Sequence, residues 1–383
     1  MKLNEQIIYF DNASTTRVYP CVLDIYHSTH EKYPYNPSSI HKEGQKAFYL
    51  FNKTKEDILR LLKLTDHQLI MTSGATEANN LAIKGVALRY KNRGNHLITS
   101  IYEHPSVLEA FKQLEEHFGF KVTYLSPDER GVITVKAVKD AITDQTILVS
   151  VMAVNNEIGS INEVEKIATL LKGYPKIIFH VDACQAVGKM EKEISYNDVD
   201  LITLSAHKIH GLVGSGALIK RKKIELLPLN SGGGQEYNFR SGTEDLANLC
   251  AFYEALKVTF SREKENYEQV SRLSEILVQY LEDNKDKFEL NSSKPINPYI
   301  INFSTVNKKG SVVVEALSNN GIMVSSVSAC HSSKEKGSYV VKSLGKSDKL
   351  ANNTVRVSLD ASNTIEEMNL FISILDKIIG EIR

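Results

Sequence analysis

Short apolar runs alternate with longer segments of helical periodicity over the first 220 or so residues of the chain. The apolar runs predict buried strands, and segments such as 106–117 and 163–171 predict helices between them. Alternation of this kind is typical of a mostly parallel sheet with helices on both faces. The predicted strands are 7–10, 68–72, 96–100, 121–125, 147–153, 177–181, 201–204 and 216–220.

The pattern changes near residue 260, where a long charged helix is predicted over residues 262–285. Shorter elements follow, and Thr364 and Glu367 have capping-box spacing at the start of the final helix. These elements are strands 299–303, 322–325 and 355–358, with a helix at 312–317. We therefore predict an α/β fold with a large domain over residues 15–260, and a smaller α+β domain formed by residues 1–14 and 261–383.

Polar residues recur where the predicted strands end: His104, Asn155 with Asn156, Asp182 with Gln185, and Ser205 to Lys208. In open α/β sheets this edge is where ligands bind. A lysine at such a position can form a Schiff base with an aldehyde cofactor, and a neighbouring aspartate can pair with a cationic ring nitrogen. An ordinary polar loop and a helix cap remain the alternatives for Lys208 and Asp182 at this point.

Three loops have the composition of ligand-binding segments. Residues 73–79 combine small residues with a predicted helix start, which favours a phosphate site, although the Gly-Lys-Ser/Thr ending of a Walker loop is missing. The glycine-rich residues 231–243 are either a linker or a source of phosphate donors from Arg240 and Thr243. Residues 11–16 fit a cleft-lining loop and an ordinary turn equally well.

A proline at position 37 precedes the long helix that carries Ile58, and we predict that Ser38 or Ser39 caps this helix.

The charge balance limits the classes of partner. The chain has 383 residues, with 46 basic and 46 acidic side chains. A net charge of zero argues against nucleic acid or an anionic membrane as the main partner. No apolar run approaches the ~20 residues of a membrane span.

Cysteines at positions 21, 184, 250 and 330 are widely spaced, which fits neither a disulfide framework nor a metal site and favours the cytoplasm. Cys330 lies in a polar segment rich in small residues, although free cysteine is among the most buried residue types. His331, Lys334 and Lys336 would favour its thiolate, so we predict a reactive role for Cys330.

Nine short motifs occur in order along the chain: YFDNASTT at 9–16, NPSSIH at 36–41, TSGATE at 72–77, EH at 103–104, VNNEIG at 154–159, HVDACQ at 180–185, SAHK at 205–208, RSGT at 240–243 and SAC at 328–330. From about residue 8 onward this set resembles the cysteine desulfurases, which are pyridoxal phosphate enzymes of fold type I. The length of the segment at about 326–340 resembles the branch of that family with a long flexible catalytic loop.

The resemblance implies roles around the cofactor ring. Lys208 would hold pyridoxal 5'-phosphate through a Schiff base and remove the substrate Cα proton. Asp182 would pair with the ring nitrogen, and His104 would stack on the ring and move protons. Gln185 would bond the ring hydroxyl, and Asn155 would lie beside the ring and the substrate.

The resemblance also implies roles at the phosphate and the substrate. Phosphate contacts are implied for Ala75, Thr76, Ser205, His207 and, from the other subunit of a homodimer, Thr243. Arg356 would bind the carboxylate of L-cysteine. Cys330 would take the substrate sulfur as a persulfide and release L-alanine.

The implied sulfur acceptor is a scaffold for iron–sulfur cluster assembly or an enzyme of tRNA thiolation. A selenocysteine lyase or a small aminotransferase on the same scaffold, with Cys330 incidental, is the alternative, and a non-catalytic relative is the third hypothesis. The chain departs from the family pattern at three sites, Val327, Leu212-Val213 and Asp360-Ala361, and these departures bear on loop dynamics and turnover.

Overall fold

The computed structural model of the chain describes residues 7–293, 295–326 and 337–381. Its strands are β1 Ile8–Tyr9, β2 His67–Thr72, β3 His96–Ser100, β4 Lys121–Leu125, β5 Thr146–Ser150, β6 Ile178–Asp182, β7 Leu201–Ser205, β8 Gly216–Arg221, β9 Phe288–Leu290, β10 Ile300–Thr305, β11 Ile322–Met323 and β12 Thr354–Ser358. Its α-helices are α1 Pro20–Lys32, α2 Lys42–Leu61, α3 Ala75–Arg89, α4 Pro105–Phe118, α5 Val135–Ala141, α6 Val164–Leu171, α7 Leu246–Ser261, α8 Glu263–Asp283, α9 Gly310–Asn319, α10 Tyr339–Ser343, α11 Asp348–Asn352 and α12 Ile365–Glu381.

The main sheet has seven strands in the order β2-β8-β7-β6-β5-β3-β4. The pairs from β7 through β6, β5 and β3 to β4 are parallel, and β8 is antiparallel to both of its neighbours. The prediction of a mostly parallel sheet is therefore confirmed. Every residue of β3, β5, β6 and β7 is buried, which explains why these strands read as continuous apolar runs and not as alternating patterns.

Helices cover both faces of this sheet. Leu69 and Met71 of β2 belong to one hydrophobic cluster, whereas Ile70 between them belongs to another, because successive side chains of a strand point to opposite faces. The second cluster also contains Leu81 of α3 and Phe111 of α4. Strand ends and helix starts consequently meet at the carboxyl edge of the parallel strands.

A three-stranded antiparallel sheet in the order β12-β10-β9 lies in the C-terminal part of the chain. The N-terminal strand β1 pairs in parallel with β11. The proposed division into two domains at these boundaries stays a prediction. Within the described residues, no helix is both long and apolar enough to cross a membrane.

Two predicted helix starts had different outcomes. The predicted cap of α2 at Ser38 or Ser39 is wrong, because the His41 ring nitrogen Nδ1 accepts the hydrogen bond from the Gly44 amide at 3.1 Å. The turn carrying Ser39 packs against the first turn of α2, where a Cβ on Gly44 would lie 2.5 Å from the Ser39 carbonyl oxygen.

The capping box of α12 is confirmed. The Glu367 amide donates to Thr364 Oγ1 at 3.2 Å, and the Thr364 amide donates to Glu367 Oε2 at 3.1 Å.

Candidate active site

A cavity of about 560 Å³ opens at the carboxyl edge of the main sheet. Nine predicted site residues line it: Ala75, Thr76, His104, Asp182, Gln185, Ser205, His207, Lys208 and Arg356. They come from segments that are far apart in sequence. The expected convergence of polar strand ends on one edge is therefore confirmed as a matter of geometry.

Lys208 lies in a short 3₁₀ turn, Ala206–Lys208, that follows β7. Its Nζ donates to the main-chain carbonyls of Ala13 and Ser14, at 2.6 Å each. Burial lowers the pKa of the Lys208 amine from its usual 10.5 to about 8. The neutral, nucleophilic form of the amine is therefore a much larger fraction near physiological pH than it is for an ordinary lysine.

Asp182 ends β6, the strand that pairs directly with β7, as the adjacency prediction requires. Its Oδ2 accepts a hydrogen bond from Asn79 Nδ2 at 2.8 Å, and its Oδ1 accepts one from the Cys184 amide at 3.1 Å. These two bonds fix the orientation of the Asp182 carboxylate, which lines the cavity.

Asn79 connects Asp182 to His104. Its Nδ2 also donates to the Ser106 hydroxyl at 2.9 Å, and that hydroxyl lies 2.8 Å from His104 Nδ1. The same Nδ1 accepts from the Ser106 amide at 3.1 Å, so the His104 ring also caps α4. The helix cap fixes the imidazole at the cavity wall.

The start of α3 and the end of β7 form a polar corner of the cavity. Ala75 and Thr76 occupy the first turn of α3, where main-chain N–H groups favour an anion. The buried Ser205 hydroxyl has no hydrogen-bond partner among the residues that the structure describes. Burial, followed by the charge of Lys208, lowers the pKa of His207 to about 4, so its imidazole is neutral at physiological pH.

The Gln185 side chain, like that of Ser205, is not fully hydrogen-bonded. Its Nε2 donates to the Ala13 carbonyl at 2.9 Å, but its buried Oε1 has no partner in the described part of the chain. An unpaired buried acceptor costs about 1–3 kcal/mol. Gln185 and Ser205 therefore have hydrogen-bonding capacity that a bound polar ligand would satisfy.

Arg356 enters the cavity from β12 and is almost fully buried. Its Nη2 donates to Asp11 Oδ1 at 2.8 Å and to the Ser14 hydroxyl at 2.7 Å, while Nη1 donates to the Asn156 carbonyl at 3.0 Å. A guanidinium on the cavity wall suits a carboxylate ligand.

Two predicted residues lie apart from the cavity lining. Asn155 is fully buried, and its side chain bonds to main-chain groups: Nδ2 donates to the Tyr102 carbonyl, in the loop after β3, at 3.1 Å, and Oδ1 accepts from the Glu157 amide at 2.9 Å. Its neighbour Asn156 lines the cavity. Thr243 is exposed. The roles expected of Asn155 and Thr243 stay predictions.

Cys330 and most of the predicted catalytic loop lie outside the described residues. On one side, Ser325 lines the cavity. On the other side, the Ser338 hydroxyl donates to Glu157 Oε2 at 2.6 Å, and Glu157 also lines the cavity. The described residues that flank positions 327–336 are therefore held at the cavity wall.

The sequence patterns do not mark Asn79, Asp11 or Ser14 as functional residues, and they assign no role to Asn156. For the loop that contains Asp11 and Ser14, they fit a cleft lining and an ordinary turn equally well. Asn79 belongs to the same small-residue segment as Ala75 and Thr76, but nothing in the local pattern marks its contact with Asp182, 103 positions away.

Comparison with known proteins agrees with this arrangement. The family model "Aminotransferase class-V" matches residues 8–371. The "NifS/IcsS protein homolog" of Lactobacillus delbrueckii subsp. bulgaricus is 38% identical over 377 residues, which cover 97% of each chain. The "Cysteine desulfurase IscS" of Clostridium botulinum (strain Kyoto / Type A2) is 37% identical over 390 residues, covering 100% of this chain and 96% of the relative.

Solved structures show the same likeness. A structure titled "NIFS-LIKE PROTEIN" has a TM-score of 0.90 and 32% identity, covering 98% of this chain and 100% of its own. Another, titled "SspA in complex with cysteine", has a TM-score of 0.80 and 31% identity, covering 93% of this chain and 100% of its own. The chain therefore belongs to the aminotransferase class-V family and groups with its cysteine desulfurase members.

Proposed function

We propose that this protein is a pyridoxal-phosphate-dependent cysteine desulfurase. It would convert L-cysteine to L-alanine and transfer the sulfur to Cys330 as a persulfide. The observation that carries the proposal is the buried amine of Lys208, whose pKa is lowered to about 8, in a cavity that also contains Asp182 and Arg356. The similarity to relatives named cysteine desulfurase supports the choice of reaction.

The residues of the cavity fit pyridoxal phosphate. Lys208 would hold the aldehyde carbon, and the Asp182 carboxylate would keep the ring nitrogen protonated, since an opposite charge favours the cationic form. The unpaired oxygens of Ser205 and Gln185 would meet the phosphate and the ring hydroxyl. When bound, the cofactor supplies an electron sink for the carbanion formed at the substrate Cα.

The remaining phosphate contacts would come from the first turn of α3, through Ala75 and Thr76, and from the neutral imidazole of His207. In a homodimer, Thr243 of the second subunit would add a further donor, in keeping with its exposure here. His104 would lie against the ring face, and Asn155 would support the wall beside it.

The chain's own groups would carry the proton and sulfur transfers. The free amine of Lys208 would take the Cα proton, and the Arg356 guanidinium would hold the substrate carboxylate. The Cβ–S bond of cysteine breaks while an S–S bond forms to Cys330. The sum is L-cysteine plus a thiol giving L-alanine plus a persulfide, so atoms and electrons balance without an external oxidant.

We further propose that the persulfide is passed to an acceptor protein, either a scaffold for iron–sulfur cluster assembly or an enzyme of tRNA thiolation. The spacing of the cysteines supports work in the reducing cytoplasm.

The proposal is tested by incubating the reconstituted protein with L-cysteine and measuring both L-alanine and protein-bound persulfide. Wild-type protein should form both, and Cys330→Ala should form neither at a comparable rate. Cys21→Ala is the matched control, because Cys21 is a free, partly exposed thiol that does not line the cavity. This variant should behave as wild type.

Sulfur release that survives in Cys330→Ala would rule out the persulfide step and favour the selenocysteine lyase or aminotransferase alternative. Absence of L-alanine from the wild-type reaction would reject the desulfurase proposal itself.

A further inference from the structure

The loop of residues 11–14, between β1 and α1, contacts both cations of the cavity. The carbonyls of Ala13 and Ser14 accept from Lys208 Nζ at 2.6 Å each. The Ser14 hydroxyl accepts from Arg356 Nη2 at 2.7 Å. One short loop therefore links the candidate nucleophile to the candidate carboxylate-binding group.

Asp11 provides the negative charge of this loop. Its Oδ1 accepts from Arg356 Nη2 at 2.8 Å and from the Ser14 hydroxyl at 2.9 Å. The three groups thus form a closed triangle of hydrogen bonds. The Arg356 side chain is 8% exposed and that of Asp11 is 22% exposed, so the pair is largely shielded from water. Charge-assisted hydrogen bonds are stronger in such surroundings than at the surface.

The guanidinium is only partly satisfied by this triangle. Nη1 donates to the Asn156 carbonyl, and Nε is buried without a hydrogen-bond partner in the described residues. A carboxylate that binds Arg356 through two N–H groups must use Nη2 with Nε or with Nη1. Either mode requires Nη2 to release, or share, its contact with Asp11 or Ser14.

The Asp11 side chain can move away from Arg356, because it is the more exposed member of the pair. Its hydrogen bonds to Arg356 and Ser14 both use the Oδ1 oxygen. A second carboxylate at Arg356 would lie within a few ångströms of Asp11. Repulsion between like charges at that range is substantial in a partly buried site.

We propose that Asp11 is an internal counter-ion of Arg356 that is exchanged for the α-carboxylate of the incoming amino acid. It would keep the buried guanidinium neutralised and oriented between turnovers. Its negative charge would also weaken the binding of the substrate and of the L-alanine product, which favours product release. This inference rests on the proposed function only in assigning the substrate carboxylate to Arg356.

If this exchange occurs, the charge of Asp11 should affect ligand affinity even when the shape of its side chain is kept. In Asp11→Asn, the side-chain oxygen can still accept from Arg356 and Ser14, but the negative charge is removed. We expect the dissociation constant for L-alanine to fall roughly tenfold, because one repulsive charge near the ligand is lost. The affinity for L-alaninamide, which has no carboxylate, should remain the same within about twofold.

The experiment is an equilibrium titration of the reconstituted holoenzyme with each ligand, followed through the absorbance of the cofactor. Ser14→Ala is the matched control, since it removes a hydroxyl from the same triangle but leaves the charge of Asp11 in place. The affinity of the Ser14→Ala variant for L-alanine should differ from that of wild type by less than about threefold. If Asp11→Asn does not fold, Asp11→Ser has the same predicted result.

Three results would overturn the proposal. Asp11→Asn could bind L-alanine no more tightly than wild type does, or it could bind L-alanine and L-alaninamide more tightly by the same factor. Alternatively, Ser14→Ala could bind L-alanine as tightly as Asp11→Asn does. Failure of the proposed function gives a different pattern. In that case wild-type protein would make no L-alanine from cysteine, whereas the effect of Asp11→Asn on L-alanine binding would persist.

Discussion

The two edges of the seven-stranded sheet differ in how completely their charged and polar groups are paired. At the amino edge His67 Nδ1 is buried without a partner among the described residues, but the arginine beside it is ion-paired. At the amino edge, Arg221 at the end of β8 lies 3.2 Å from Asp200, 3.4 Å from Asp66 and 3.9 Å from Asp198. At the carboxyl edge, Ser205 Oγ, Gln185 Oε1 and Arg356 Nε lack partners among the described residues. Both edges contain a cavity, which has a volume of about 370 Å³ at the amino edge and about 560 Å³ at the carboxyl edge.

This difference in the pairing of polar groups indicates which of the two cavities binds a ligand. Arg221 at the amino edge already has acidic partners within the protein, so a ligand gains little by replacing those contacts. An unpaired buried polar atom costs about 1–3 kcal/mol, and several such atoms in one cavity are typical of a site that water or a ligand fills. The carboxyl edge of this protein thus carries a cost in the free state that binding would recover.

The largest expected effect is that of Lys208→Ala. Loss of the amine removes both the cofactor attachment and the proton transfer at Cα, so we expect L-alanine formation to fall by a factor of roughly 10³ or more. The free energy of unfolding should change by no more than about 1–3 kcal/mol, because the desolvation cost of the buried amine and its two hydrogen bonds to Ala13 and Ser14 act in opposite directions. The checks are L-alanine production and thermal unfolding of the apoprotein. Activity within tenfold of wild type would contradict the account.

Asn79→Leu tests the network beneath the cavity. Leucine has the same branched arrangement of side-chain heavy atoms but cannot donate to Asp182 and Ser106, so Asp182 and His104 would lose their common support. We expect kcat to fall roughly 10²-fold while the protein still binds the cofactor, because misplacement of about 1 Å has effects of this size. Steady-state kinetics and cofactor absorbance are the measurements. A change in stability alone, with normal kcat, would make Asn79 purely structural.

The pH dependence of cofactor loading tests the environment of Lys208. Burial lowers the pKa of its amine to about 8, so the amine is protonated below that pH and neutral above it. Only the neutral amine is a nucleophile, and the loading rate of apoprotein should rise roughly 25-fold from pH 6.5 to 8.5 and then level off. Stopped-flow absorbance measures this rate. If the loading rate instead reached half of its maximum near pH 10, the amine would have the pKa of a solvated lysine.

Ser205→Ala separates a ligand contact from a structural one. We expect the dissociation constant of pyridoxal phosphate to rise roughly tenfold, through loss of one hydrogen bond to a charged group. The apoprotein should be as stable as wild type or slightly more stable, since the hydroxyl has no partner in the described residues. Cofactor titration and thermal unfolding measure the two effects, and a destabilised apoprotein would argue against a ligand role.

Arg221→Met at the amino edge should have the smallest effect on catalysis. Three acidic residues would lose a partner, but Asp66 and Asp198 are well exposed, so the free energy of unfolding should fall by only about 1 kcal/mol, whereas kcat/KM should stay within about twofold. Denaturant unfolding and steady-state kinetics test this contrast. A large loss of kcat/KM in a folded variant would remove the distinction between the two edges.

The sequence predicts the sheet well because its central strands are buried on both faces and appear as apolar runs. It also predicts that Lys208 and Asp182 lie on neighbouring strands, which the pairing of β7 with β6 confirms. Contacts between distant segments could not be predicted in this way. The position of Asn79 depends on how α3 and α4 pack, and the choice of Asn156 over Asn155 for the cavity wall depends on the conformation of one loop.

The start of α2 shows the same limit on a smaller scale. Ser38 and Ser39 are better N-caps by residue preference, but the close approach of Ser39 to Gly44 leaves His41 in the capping position. Tertiary contacts here override a local preference.

The central claim is that the carboxyl edge receives a cofactor through Lys208. The most direct measurement is reconstitution of the apoprotein with pyridoxal phosphate, reduction with borohydride, and peptide mass spectrometry to locate the attached group. We predict attachment at Lys208 in nearly all of the protein, and none at this position in Lys208→Ala. Attachment distributed over surface lysines, or its absence from Lys208, would contradict the account.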